Sequence, residues 1–169
     1  INLINKFSFT YMFIYILILG SLYCSLYTLF LLSPQALLFL VSLVCISDIS
    51  AFFIGKYFGK NSFFNIISPN KTREGFYGSI LVGSFLAFLY CVYQNFDLIL
   101  TIKILFSSIL VILMSAIGDL SVSLIKRYSG NKDTGNILPG HGGILDRVDS
   151  LLSAAPVFLI ISYFLSAII

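Results

Sequence analysis

The sequence predicts an all-α fold, a polytopic transmembrane helical bundle, and three observations carry that reading. Of 169 residues, 59% are hydrophobic and only 10% are charged, less than half of the roughly 25% charge of a soluble domain. The mean hydropathy is +1.01. The apolar residues gather in five continuous runs of about twenty, the length an α-helix needs to cross about 30 Å of hydrocarbon at 1.5 Å per residue. An outer-membrane barrel would instead alternate apolar and polar residues in segments of about ten.

The first run covers residues 7–32, and Ser33-Pro34-Gln35 is a tight polar break. A second run from Ala36 to about Phe58 completes a helical hairpin and contains Asp48. From Gly59 to Gly75 the composition turns to Asn, Ser, Lys, Arg, Glu and Pro, which reads as a polar loop. The third run spans Phe76 to about Tyr93, and the fourth spans about Leu98 to Ile125 with Asp119 near its end. A second polar segment, Lys126 to Asp149, is rich in glycine and charge. The last run, Val148 to Ile169, contains Pro156, which a membrane helix accommodates as a kink. One membrane domain over 1–169 is expected. The chain opens on Ile1 without a visible signal peptide, which leaves a longer parent protein open.

Charge placement orients the bundle. Lys6, then Lys56, Lys60, Lys71 and Arg73, then Lys126, Arg127, Lys132 and Arg147 flank the runs on one face when spans are counted; Lys103 alone falls elsewhere. The positive-inside rule puts the two large polar loops on the cytoplasmic side and the C-terminus opposite. The net charge of +3 adds little to this local distribution. Cys24, Cys45 and Cys91 sit singly in apolar runs and read as small buried hydrophobes without metal-ligand spacing.

The chemistry is concentrated in the carboxylates. Asp119 near membrane depth costs roughly 2.5–3.5 kcal/mol unless it is paired, hydrated or metal-bound. Ser123 lies one helical turn and Lys126 two turns beyond it, so the three share a face. This stripe reads either as a structural Asp119–Lys126 tether or as part of a site. At the start of the last run Asp146, Asp149, Ser150 and Ser153 share a face, and Arg147 lies among them. Capping accounts for one acid but not for two acids and two hydroxyls entering the membrane together. Mg²⁺ takes one or two carboxylates plus substrate phosphate oxygens, and Asp119 with Asp146 could supply that pair. Between the clusters, Ser129–Gly135 and Pro139–Gly143 offer glycines, Lys132 and the lone His141, suited either to phosphate binding or to plain turns. The loop Ser68–Gly75 brings Lys71, Thr72, Arg73 and Glu74, either to cradle a triphosphate or as a solvated basic flank. Upstream, Asp48 shares a face with Gly55 and Gly59, whose spacing allows close helix approach.

Taken together, these residues resemble the phosphatidate cytidylyltransferase family. The match runs from Ser123 through Lys126-Arg127, Lys132-Asp133 with Gly135, and Leu138-Pro139 with His141-Gly142-Gly143 to Asp146-Arg147 and Asp149. Ser47-Asp48 with Ala51 and Gly55-Lys56, Ser68-Pro69 with Lys71-Thr72 and Glu74-Gly75, and the Gly118-Asp119 pair are similar too. Ile49-Ser50 stands where the family usually has Thr-Gly, and Arg73 where it usually has an aromatic. Neither departure touches an expected metal ligand. The resemblance corresponds to the C-terminal part of a longer architecture.

The resemblance implies an enzyme that transfers a cytidylyl group from CTP to phosphatidate, giving CDP-diacylglycerol and pyrophosphate for phospholipid biosynthesis. It implies Asp119 and Asp146 as Mg²⁺ ligands with Asp149 assisting, and a second cation is compatible with the site. Lys126, Arg127, Lys132 and Arg147 are implied as phosphate clamps, with Ser123, Lys71, Thr72 and Asp48 as further substrate contacts. Expected partners are CTP, phosphatidate and the lipid bilayer, without nucleic acid; a homodimer is compatible with the reading. The expected location is a bacterial inner membrane, with the site facing the cytoplasm. A CTP-dependent lipid kinase, a cation-coupled transporter and an inactive fragment are the alternatives.

Overall fold

The structure, a computed structural model, describes residues 2–64, 68–128 and 145–165, with side chains described over 16–62, 71–126 and 148–164. The elements are α1 (Asn2–Leu32), α2 (Pro34–Phe58), β1 (Ser62–Phe64), β2 (Ser68–Thr72), α3 (Arg73–Tyr93), α4 (Leu98–Tyr128) and α5 (Leu145–Leu165). The five helices coincide with the five apolar runs. Three are long and apolar enough to cross a membrane: Pro34–Phe58, Arg73–Tyr93 and Leu98–Lys126. Among the described residues, the apolar stretches Ile16–Leu32 and Val148–Phe164 in α1 and α5 are shorter. The chain is a helical membrane protein.

Local chemistry sets the helix ends. Ser33 caps α2, its hydroxyl accepting from the Ala36 N–H at 3.3 Å, and Pro34 stands where a missing N–H costs nothing. Thr72 caps α3 in the same way, accepting from the Gly75 N–H at 3.2 Å, so the helix starts at Arg73 rather than at the predicted Phe76. Between α3 and α4, Asn95 adopts a φ of 55°, a left-handed conformation that its short polar side chain tolerates. Asp97 then accepts from the Leu100 N–H at 3.3 Å to open α4.

The first polar segment holds more order than a loop. β1 and β2 pair antiparallel, with Ser62 opposite Thr72 and Phe64 opposite Ser68, and the register shifts between them. The Arg73 N–H donates to the Asn61 carbonyl at 3.0 Å and closes the hairpin onto α3.

Helix α2 packs most extensively against α3, and α4 against α5. Leu40, Leu43, Ile104, Val111, Ile112, Ala154, Ala155 and Phe158 are buried between them. Phe39 stacks on Tyr90 with ring centroids 4.4 Å apart and meets Phe158 at 6.1 Å, which fixes the bundle near the α3–α4 turn. Large apolar side chains such as Phe52, Tyr57, Leu81, Phe85, Ile102 and Phe106 point outward. In lipid, such helices associate through packing rather than through water exclusion, so small residues at the contacts matter most. The predicted close approach at Gly55 and Gly59 is present, and its partner is the start of α3. A Cβ on Gly55 would lie 2.8 Å from Thr72 Oγ1, and one on Gly75 would lie 3.1 Å from the Gly55 Cα.

Candidate active site

The ends of four helices converge at the end of the bundle away from the Phe39 cluster. The contacts that define this end come from the C-terminal part of α2, the start of α3, the C-terminal part of α4 and the start of α5. Asp119 on α4 forms an ion pair with Lys71 on β2, and the two side chains are 28% and 33% exposed. The hairpin thus reaches across the bundle to meet a carboxylate 48 positions later in the chain. The Ser123 hydroxyl donates to Asp119 Oδ1 at 3.4 Å, as the helical stripe predicts. Asp119 takes a cation from the first polar segment, a contact that the Asp119–Lys126 tether does not include.

Helix α5 delivers the second carboxylate. Asp149 lies close enough to Asp119 and to Lys126 for their charges to act on it. Gly118 permits that approach: a Cβ there would meet Ser153 Oγ and would come within 2.8 Å of the Asp149 carbonyl oxygen. Ser153 donates its hydroxyl to the Met114 carbonyl one turn earlier on α4. Asp149 accepts from the Ser150 N–H at 2.8 Å. Asp48 on α2 completes the group, with the Ser150 side chain within hydrogen-bonding reach and Asp119 and Lys71 close enough to interact with its charge.

Three carboxylates and two lysines are therefore assembled from α2, β2, α4 and α5. Two like charges in contact require a cation or a proton between or beside them. Lys71 and Lys126 provide part of that compensation. Among the described residues, no group of three or more His, Cys, Asp and Glu side chains stands close enough to hold a metal ion. The Asp119–Asp149 pair nevertheless fits Mg²⁺, which needs only one or two protein carboxylates and completes its shell with water and phosphate oxygens.

The structure gives Thr72 a capping and packing role, wedged between Gly55, Gly59 and Gly75. Asp146 and Arg147 lie in the first turn of α5, but their side chains, like those of Arg127, Lys132 and His141, are outside the described residues. Sequence reasoning missed why Gly118 precedes Asp119. A glycine beside a membrane carboxylate was the available signal.

The fold and this cluster define a class: a helical membrane protein with paired carboxylates and lysines gathered at one end of its bundle. Within that class, the chain belongs to the Cytidylyltransferase family, whose sequence model matches residues 2–165. It is 40% identical over 131 residues to a phosphatidate cytidylyltransferase of Haemophilus influenzae, covering 76% of this chain and 44% of that protein. It is 44% identical over 122 residues to the Bacillus subtilis phosphatidate cytidylyltransferase, with 72% and 44% covered. The enzyme of that name from Pseudomonas aeruginosa is 42% identical over 112 residues, with 66% and 41% covered. The chain spans less than half the length of these curated relatives.

Proposed function

We propose that this chain carries the catalytic end of a phosphatidate cytidylyltransferase, which joins CTP and phosphatidate into CDP-diacylglycerol and releases pyrophosphate. The observation that carries the reading is the meeting of Asp119, Asp149, Lys71 and Lys126 at one end of a membrane bundle. In this reaction an oxygen of the phosphatidate phosphate attacks the α-phosphorus of CTP, and the bond to the pyrophosphate oxygen breaks. Such transfer needs positioning and charge neutralisation more than a covalent side-chain nucleophile.

Asp119 and Asp149 would hold Mg²⁺, with Asp146 as a third candidate ligand, and a second cation remains compatible with the site. Bound there, the ion neutralises phosphate charge and polarises the reacting phosphoryl group. Lys126, with Arg127, Lys132 and Arg147 of the second polar segment, receives the triphosphate. Lys71, already held against Asp119, approaches the nucleotide from the opposite side. The N-termini of α3 and α5 present the positive ends of their dipoles to the same region. Asp48 lies near Ser150 at the start of α5. Phosphatidate enters sideways from the bilayer, because its phosphate lies at headgroup depth, where α4 and α5 end. The site faces the cytoplasm of a bacterial inner membrane, where CTP is available.

The test is incubation of the protein with CTP labelled at the α-phosphate, phosphatidate micelles and Mg²⁺. Label entering lipid with stoichiometric pyrophosphate supports the reading. Release of CDP, with the terminal phosphate transferred instead, would make the protein a CTP-dependent lipid kinase.

A further inference from the structure

Glu74 belongs to the first polar segment, yet the described hydrogen bonds of its carboxylate lead away from the acidic cluster. Its oxygens accept from the Asn61 backbone N–H and the Asn61 side-chain amide, each at 3.4 Å. Asn61 returns the contact by accepting the Arg73 N–H at 3.0 Å. Residues 61 and 74 thus close the two ends of the β1–β2 hairpin through both backbone and side chains. Lys71 sits inside that closure, and the adjoining Thr72 pairs with Ser62. Thr72 is in turn wedged against Gly55 of α2 and Gly59, which caps its C-terminus. Among the described contacts, the latch, the β1–β2 pairing and the Thr72 wedge hold the backbone around Lys71, while its ammonium rests on Asp119. A lysine side chain loses much rotamer entropy when held in one geometry, and a fixed backbone lowers that cost.

We infer that Asn61 and Glu74 are positioning residues, a latch that holds the hairpin so that Lys71 is presented to Asp119 and to the phosphates of CTP. The role in receiving CTP rests on the proposed function; the latch itself does not. Neither residue touches the substrate. Loss of the latch raises the KM for CTP and leaves kcat nearly intact, because the lysine still reaches the site from a wider set of hairpin positions.

Two measurements on the full chain in detergent micelles test this. The first is the rate at which Lys71 reacts with acetic anhydride, read by mass spectrometry in the unsubstituted protein, in Asn61→Ala and in Glu74→Gln. The latch predicts several-fold faster acylation in both variants. It also predicts return toward the original rate in the paired Asn61→Asp, Glu74→Gln variant, where donor and acceptor are exchanged and net charge is kept. The second is steady-state kinetics, in which each single variant raises the KM for CTP about fivefold with kcat within about twofold, and the exchange restores it. Unchanged Lys71 reactivity in Asn61→Ala overturns the latch, and so does an exchange that restores neither quantity. If the unsubstituted protein turns over no CTP, the proposed function fails, and the acylation rates still decide the latch.

Discussion

Gly118→Ala is the smallest change that should separate Asp119 from Asp149. The new Cβ would lie within 2.8 Å of the Asp149 carbonyl oxygen and against Ser153 Oγ, whereas a carbon and a carbonyl oxygen settle at about 3.3 Å or more. Ser153 can turn its hydroxyl aside, but a backbone carbonyl moves only with its helix. The start of α5 must then retreat by roughly 0.5 Å, and overpacking of this kind costs about 1–3 kcal/mol. Because a misplacement of about 1 Å costs on the order of 100-fold in rate, half that distance should cost about tenfold. The assay is turnover at varied Mg²⁺ beside a thermal melt in detergent. Gly118→Ala should show lower turnover and a raised Mg²⁺ requirement, with a modest fall in melting temperature. Adding Ser153→Ala should recover part of the stability but little of the rate, since the carbonyl contact remains. Unchanged Mg²⁺ dependence and rate in Gly118→Ala would refute the claim that this contact sets the spacing of Asp119 and Asp149.

Three further outcomes are expected. Asp119→Asn and Asp146→Asn should each lower turnover by about 100-fold while leaving folded yield near normal, because a partly exposed ion pair such as Lys71–Asp119 contributes only about 0–1 kcal/mol; near-normal turnover at limiting Mg²⁺ would remove that residue from the metal site. Thr72→Val should lower stability by about 1 kcal/mol through loss of the α3 cap, and a raised KM for CTP at unchanged stability would instead make Thr72 a substrate contact. Single cysteines at positions 71 and 126, in a protein cleared of its three native cysteines, should label from the same side of the membrane and one at 103 from the other. Labelling of 71 and 126 from opposite sides would contradict a shared site.

The helices were legible in the sequence because each is a continuous apolar run bounded by polar breaks; Asp119 stood out because a carboxylate is costly there, and Asp146 and Asp149 because two acids open the last run. The Asp119–Ser123 contact was legible as well, since four-residue spacing places both on one face. The Lys71–Asp119 pair was not, because no local periodicity couples a loop lysine to an acid in another span. The hairpin escaped notice for a related reason: β1 is three residues long, and β2 carries Pro69 and Asn70, both poor strand formers. What holds it is the Asn61 closure onto Arg73 and Glu74, a tertiary contact. Gly55 and Gly59 announced a close approach, but their partner depended on how α2 and α3 meet.

The central claim is that Asp119 and Asp149, brought together from α4 and α5, form one cation and nucleotide site. Binding of Mn²⁺ in place of Mg²⁺, followed by electron paramagnetic resonance in detergent with and without CTP, tests it most directly. The account predicts a bound Mn²⁺ signal that strengthens with CTP and is lost in both Asp119→Asn and Asp149→Asn. Mn²⁺ binding that persists unchanged in both variants would contradict it.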